Sequence, residues 1–219
     1  MKWLGKIFAT FIFLTAAQDS LAQSFVNLNF ESANLSPYGV GPATVPVTDA
    51  IPGWTAYISG APQADIAYNG ASLGGAQINI ESAANPNGFP PIQGNYFIWL
   101  EPNSGGSPSQ AAAIGQTGQI PASAESVIFW GNYNGALSFD GQALDYTQIG
   151  TGSTYSIYAA DISSFDDETG QLLFTASFGS GGFIDNIQFS PDSVPEPGEL
   201  ALMGFGGAVL VFTCCKRSR

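Results

Sequence analysis

Histidine is absent from this chain of 219 residues, and its two cysteines, Cys214 and Cys215, both lie near the C-terminus. The long region before them therefore has no disulfide and no thiolate or imidazole ligand for zinc. It also has no Ser-His-Asp triad, no Cys-His pair and no histidine to act as an acid–base catalyst. Its stability must come from packed apolar surface and hydrogen-bonded sheet, with or without a bound metal.

Basic residues are equally scarce and occur only at the two ends, as Lys2, Lys6, Lys216, Arg217 and Arg219. Of the 17 acidic residues, Asp19, Glu196 and Glu199 also belong to the end segments, which leaves 14 carboxylates between them without any side-chain cation. Recognition of nucleic acid through its phosphates is therefore excluded. Such a surface attracts cations, of which Ca²⁺ is the obvious candidate outside a cell, although acids also serve simply to keep a domain soluble.

The first 22 residues have the layout of a secretory signal peptide. Lys2 and Lys6 form a positive start, residues 7–17 are apolar, and Ser20-Leu21-Ala22 has the small-x-small pattern of a cleavage site. We expect cleavage after Ala22, with a cut after Ala17 as the alternative. The exported domain is then 23–193, which is long enough for one domain with its own core.

The last segment, 194–219, has three parts. Pro195-Glu196-Pro197 is followed by an apolar run from Leu200 to Thr213 and by a basic stub that contains Lys216, Arg217 and Arg219. A basic stub of this kind stays on the cytoplasmic side of a membrane while the rest of the chain is exported. The run is shorter than the ~20 residues of a permanent transmembrane helix, which predicts a single membrane segment that holds the chain only temporarily.

This three-part order resembles the PEP-CTERM sorting signal of Gram-negative bacteria. The resemblance implies sorting at the inner membrane by an exosortase, a transpeptidase-like membrane enzyme. It further implies a final place on the cell surface or in the extracellular matrix, together with exopolysaccharide. The Cys214-Cys215 pair is not part of that signal, and it leaves lipidation open as another fate.

The region 24–193 predicts an all-β sandwich, because about ten short runs alternate with turn residues and no long amphipathic helix is present. The predicted strands are 24–31, 54–58, 76–80, 95–101, 109–114, 127–130, 136–139, 142–149, 153–159, 172–178 and 183–189. Residues 32–53, which are rich in proline and glycine, predict an irregular loop. Asp140-Gly141 predicts a tight hairpin, and the acidic run Asp166-Asp167-Glu168 predicts a loop tip.

Four short motifs resemble the jelly-roll domains of the galactose-binding type, which include many carbohydrate-binding modules. They are Asn29-Phe30-Glu31, Pro52-Gly53-Trp54, Gln93-Gly94-Asn95-Tyr96 and Phe183-Ile184-Asp185-Asn186-Ile187. In that family an acid after the first strand and an aspartate in the last strand often share a structural Ca²⁺. Glu31 and Asp185 match those positions. The resemblance implies a jelly-roll fold with a Ca²⁺ site there, and the alternative is two unrelated, solvated carboxylates.

Sugar binding requires exposed aromatic rings beside hydrogen-bonding side chains. The candidates are Trp54, Tyr57, Tyr133 and Tyr146, with Asn132 and Asn134. Trp99 and Trp130 lie within apolar runs and are predicted to be core residues instead.

Three functions follow. The first is a non-catalytic surface or matrix protein that associates with exopolysaccharide, which is the prediction made here. The second is a purely structural exported protein without a ligand. The third is a glycoside hydrolase or lyase that uses two of the acids; the lack of any cation to tune a carboxyl pKa or to position an anionic sugar disfavours it.

Overall fold

The computed structural model of the chain describes residues 23–70, 74–85, 92–103 and 109–194. The predicted signal peptide and the sorting segment with Pro195, Glu196, Pro197, Lys216, Arg217 and Arg219 lie outside the described residues. Within the described ranges, no helix has both the length and the apolar composition to span a bilayer.

Strands make up nearly all of the regular secondary structure of the described chain. These are β1 (Ala43–Pro46), β2 (Thr55–Ile58), β3 (Ala61–Gln63), β4 (Asp65–Tyr68), β5 (Gln77–Ser82), β6 (Tyr96–Glu101), β7 (Ala112–Gln119), β8 (Ser126–Tyr133), β9 (Ala136–Phe139), β10 (Gln142–Leu144), β11 (Tyr146–Thr151), β12 (Ser156–Asp161), β13 (Thr169–Ala176) and β14 (Gly182–Ser190). One short helix, α1 (Val47–Ala50), and two 3₁₀ turns, Ser36–Tyr38 and Ser163–Phe165, complete the set.

The strands form a β-sandwich of two sheets. The larger sheet has eight strands in the order β1-β4-β5-β6-β14-β8-β12-β11, and the smaller has six in the order β10-β9-β13-β7-β2-β3. Among the described strands, every pair is antiparallel except β4 with β5. The predicted all-β sandwich is confirmed, with more strands than the sequence suggested.

The core lies between the two sheets and is filled by the inward side chains of both. Phe129 of β8 packs edge-to-face against Phe174 of β13, with ring centroids 5.2 Å apart. Tyr158 of the neighbouring strand β12 stacks on Phe129 at 5.1 Å. Aromatic contacts of this kind add about 0.5–1.5 kcal/mol each beyond the burial of their area. Phe129 therefore joins the two sheets near the middle of the sandwich.

The four edge strands are β1 and β11 in the larger sheet and β10 and β3 in the smaller. β1 ends at Pro46, and β3 contains Pro62. β10 has only three residues, and the pairing register of β11 shifts between Gln148 and Gly150. In the described chain, the longest uninterrupted run of paired residues in any edge strand is therefore the four residues of β1.

The predicted strand at 24–31 is wrong. Only Ser24 forms an isolated bridge, to Gln119, and the chain then turns, with φ of +51° at Asn27 and +57° at Phe30. Three apolar residues of this segment still pack on the protein, since Phe30 is fully buried and Phe25 and Leu28 lie against the core, whereas Val26 is exposed. Their alternation arises from an irregular segment that packs on the core. The Leu28 carbonyl accepts the Ile187 N–H at 2.9 Å, which fixes this segment beside β14.

The predicted loop at 32–53 is wrong in its second half, which forms β1 and α1. Pro46 is the last residue of β1 and also the residue directly before α1. In both roles its missing N–H costs little. Asp140-Gly141 does form the predicted hairpin: Phe139 pairs with Gln142, and both turn residues have positive φ. The acidic run 166–168 is an exposed turn before β13, as predicted.

Candidate functional site

A shallow groove lies on the outer face of the six-stranded sheet, above β7. Ile114 of β7 belongs to the core, so its neighbours Ala113 and Gly115 face outward. Tyr57 of β2 pairs with Ala113 on one side, and Thr175 of β13 pairs with it on the other. Small residues thus form the floor of the groove, and larger side chains on the neighbouring strands form its walls.

The groove has a volume of about 270 Å³ and is lined by Tyr57, Gly60, Ala111, Ala113, Gln171, Leu173 and Thr175. Gln171 Nε2 donates a hydrogen bond to Tyr57 Oη at 3.0 Å. A Cβ at Gly115 would lie 3.0 Å from Gln171 Nε2 and from Leu173 Cδ1, so glycine lets both side chains lean over the floor. The lining combines an aromatic ring, an amide and a hydroxyl, and its described residues include no charged group.

Two of the predicted sugar-binding aromatics are core residues, and for them the prediction is wrong. Trp54 is 4% exposed, lies 5.6 Å from the Phe30 ring, and donates from Nε1 to the Asn27 carbonyl at 3.0 Å. Tyr133 is 3% exposed and donates to the Ala136 carbonyl. Burial, and then the neighbouring Tyr146, raise the pKa of the Tyr133 hydroxyl. Neither ring can stack on a sugar.

The other predicted residues are not in the groove. Tyr146 is half-buried and donates to the Gly135 carbonyl at 2.8 Å; burial and then Tyr158 raise its pKa to about 12. Asn132 and Asn134 are exposed. Asn132 donates to the Thr154 carbonyl, and Asn134 Oδ1 accepts the Gly181 N–H. Tyr57 is thus the one predicted aromatic that lines the groove.

Trp99 and Trp130 were predicted to lie in the core, and this is wrong. Both are only half-buried and face outward from the eight-stranded sheet, since residues beside them in β6 and β8 face the core. Trp130 stacks on Tyr155 with ring centroids 5.0 Å apart and an interplanar angle of 11°. Trp99 lies 5.3 Å from Phe183. An apolar run does not reveal that outward rings cover one another in this way.

Glu31 and Asp185 both contact the segment 93–96. Asp185 is fully buried, and its carboxylate accepts the N–H groups of Gln93 at 2.8 Å and of Asn186 at 2.6 Å. Glu31 accepts the N–H groups of Asn95 at 2.7 Å and Tyr96 at 2.9 Å, and the Asn95 side chain. A bulge in β14 begins at Asp185, where Asn186 has a φ of +45°.

Burial raises the pKa of the Asp185 carboxyl to about 8, against the two N–H bonds that lower it, and the negative charge of Glu31 raises it further. Like charges held close together favour a proton or a metal ion between them. Gly94 has a φ of +60°, and a Cβ there would overlap Glu31 Oε1. Glycine at this position therefore lets Glu31 reach the backbone of the segment.

The oxygen donors around this pair fit a hard cation such as Ca²⁺. Besides the two carboxylates, Gln93 Oε1 is buried and has no hydrogen-bond partner among the described residues. Gln93 was not predicted as a donor, although it lies in one of the four motifs. Each carboxylate already accepts N–H bonds, so a cation would use the remaining lone pairs. Within the described ranges, three or more acidic, histidine or cysteine side chains do not converge on one point.

Comparisons with known proteins give little. No protein-family model matches the chain, and no curated protein matches it. Among solved structures, one that matches is described as TmCBM61 in complex with beta-1,4-galactotriose at 1.4 Å resolution. It is 18% identical to this chain, with a TM-score of 0.35, and the match covers 78% of this chain and 99% of that one. A likeness of this degree bears on neither site nor function.

Proposed function

We propose that the domain is a non-catalytic, carbohydrate-associating β-sandwich of the cell surface or extracellular matrix. The observation that carries the proposal is the groove above β7. Its Tyr57 ring offers a face for the C–H groups of a sugar, while the Gln171 amide and the Thr175 hydroxyl lie in reach of sugar hydroxyls. The ring, the amide and the small floor come from three adjacent strands, which hold them without a mobile loop.

The ligand that suits this groove is an uncharged sugar. None of the described residues that line it is charged, and the region between residues 23 and 194 has no lysine, arginine or histidine to bind a uronate or a sulfate. The carboxylates of the domain repel anionic polymers unless a cation bridges them. We therefore expect neutral hexoses or deoxyhexoses in the groove, rather than uronic acids.

The route of export completes the proposal. Residues 1–22 would direct secretion, and the segment 194–219 would direct exosortase sorting at the inner membrane, where it holds the chain before release to the cell surface of a Gram-negative bacterium. The jelly-roll assignment and a structural Ca²⁺ held by Glu31 and Asp185 belong to the same proposal. The support for the metal is the pairing of two acids and the Gln93 oxygen in a domain without cations.

A glycan array with the purified full chain tests sugar binding, and a reducing-sugar release assay on the same glycans tests hydrolysis. We expect binding to neutral glycans without release. Tyr57→Ala removes the platform and should weaken binding by at least about tenfold, which corresponds to ~1.4 kcal/mol. Ala113→Leu should also block binding, because its side chain projects into the groove and leaves the core unchanged.

Tyr155→Ala is the matched control, since it removes a half-buried aromatic from the outer face of the other sheet. Loss of binding in Tyr155→Ala with full binding in Tyr57→Ala would move the site to the eight-stranded sheet. Binding to no glycan would favour the purely structural protein. Release of reducing ends would make the domain an enzyme.

A further inference from the structure

Strand β5 carries two polar side chains that are fully buried on the outward side of the eight-stranded sheet. Asn79 and Glu81 are both 0% exposed, and as alternate residues they share one face. That face points away from the sandwich core, because Ile78 and Ile80 occupy the opposite side. Asn and Glu side chains are mostly exposed in proteins, so two of them without any contact to solvent on the outer face of a sheet are unusual.

Each of these two side chains has one oxygen without a partner. Asn79 Nδ2 donates to Glu101 Oε2 at 2.7 Å, whereas Asn79 Oδ1 has no hydrogen-bond partner among the described residues. Asn85 Nδ2 donates to Glu81 Oε2, whereas Glu81 Oε1 likewise lacks a partner there. Buried polar atoms are rarely left unpaired, because each one loses its bonds to water.

The charge of Glu81 has no compensation within the domain. Between residues 23 and 194 the sequence has no lysine, arginine or histidine. Glu101, which pairs opposite Gln77 on the far side of Asn79, adds a second negative charge that acts on Glu81. Burial, and then Glu101, raise the pKa of the Glu81 carboxyl to about 7 against the bond from Asn85. A buried carboxylate in this position requires a proton or an external cation.

We propose that Asn79 and Glu81 bind a divalent cation of the Ca²⁺ class through Oδ1 and Oε1, with Glu101 beside them as a further carboxylate. All available atoms are oxygens of amide and carboxylate groups, which is the donor set that Ca²⁺ prefers, and water or backbone carbonyls complete its six to eight ligands. A cation satisfies both orphaned oxygens and both negative charges together. A proton on Glu81 neutralises only one of the charges.

Gly70 lies next to the proposed cation site on β5. A Cβ at this glycine would lie 3.2 Å from Asn79 Oδ1, so the missing side chain leaves space next to the unpaired oxygen. The site is distinct from the Glu31–Asp185 pair, whose carboxylates already accept backbone N–H groups. It uses β5 and β6, whereas that pair joins the N-terminal segment to β14.

The test is isothermal titration of Ca²⁺ into the full chain after EDTA treatment and dialysis, together with thermal melting. Glu81→Gln keeps the shape of the side chain and removes its charge. We expect this variant to bind one equivalent of Ca²⁺ fewer than the wild type, with a smaller rise in Tm on adding Ca²⁺. Asp185→Asn, run in parallel, reports the Glu31–Asp185 pair, and an additive loss in the double variant shows that the two sites are separate.

Asn79→Asp covers the case in which Glu81→Gln does not fold. An added carboxylate at a cation site should tighten Ca²⁺ binding by at least about tenfold and make folding more dependent on Ca²⁺. Equal Ca²⁺ stoichiometry and an equal Tm response in wild type and Glu81→Gln would overturn the proposal. The proposal would also be overturned if Asn79→Asp were destabilised and its Tm did not rise on adding Ca²⁺. In that case a proton, and not a cation, neutralises the Glu81 carboxylate.

Discussion

The metal-free protein is expected to lose stability as the pH rises from about 5 to 8. Asp185 and Glu81 are fully buried, and burial raises their pKa values to about 8 and about 7. In the unfolded chain the same groups titrate near ~4. Between the unfolded and folded values, the folded protein holds one more proton per group, so its free energy of unfolding falls by about 1.4 kcal/mol per pH unit for each group.

From pH 5 to pH 7 both groups contribute, and the expected total loss is roughly 5 kcal/mol, because the slope due to Glu81 falls off as the pH approaches its folded pKa. This is a large part of the ~5–15 kcal/mol that stabilises an ordinary domain. Asp161 acts in the opposite direction, because the Ser163 N–H and hydroxyl lower its pKa. Its contribution is complete once the pH exceeds the unfolded value near ~4, so it does not offset the loss above pH 5.

Urea unfolding in EDTA at several pH values from 5 to 8, followed by tryptophan fluorescence, measures this slope. Asp185→Asn and Glu81→Gln should each reduce it by about 1.4 kcal/mol per pH unit. Asp140→Asn is the control, since it changes an exposed hairpin acid to a residue that tolerates positive φ. A stability that is constant or rises from pH 5 to pH 7 would refute the reasoning, as would an unchanged slope in Asp185→Asn.

Three further substitutions test single contacts. Phe129→Ala should lower the free energy of unfolding by about 3–5 kcal/mol, because it leaves a cavity between the two sheets; urea unfolding at pH 5 measures it. Gly94→Ala should cost more than ~1 kcal/mol in the same assay, since its φ is positive and a Cβ would meet Glu31. Ser163→Ala should raise the pKa of Asp161 in an NMR titration, because one of the two bonds that lower it is lost. An unchanged value in any of these would contradict the contact described.

The strands that the sequence predicted well are those bounded by turn residues and paired with near neighbours. The Asp140-Gly141 hairpin is local, and its geometry follows from residues that accept positive φ. The errors lie where distant contacts decide the conformation. Phe30 takes a positive φ, which costs energy for a residue with a bulky side chain, because burying its ring beside Trp54 compensates.

The candidate groove was predictable only in part. Tyr57 and Trp54, three residues apart, were both predicted to bind sugar. Tyr57 lines the groove, whereas Trp54 is buried in the core. The direction of a ring depends on which sheet face its strand presents, and this is known only once the partners are known. The position of Ala113 and Gly115 in the groove could not be predicted from the sequence. They form its floor only because they are smaller than their neighbours on the adjacent strands, and those neighbours are not known from the sequence.

The edges of the two sheets have a consequence for the proposed location of the domain in an extracellular matrix, where its molecules would lie close together. Open edges invite pairing between molecules, and many proteins prevent this with lysine on the edge strand, a residue that this domain lacks. Here Pro46, Pro62, the shortness of β10 and the bulge in β11 interrupt the unpaired backbone groups instead. If the domain lies in a matrix as proposed, these interruptions would keep its molecules separate folded units and prevent a continuous cross-β ladder.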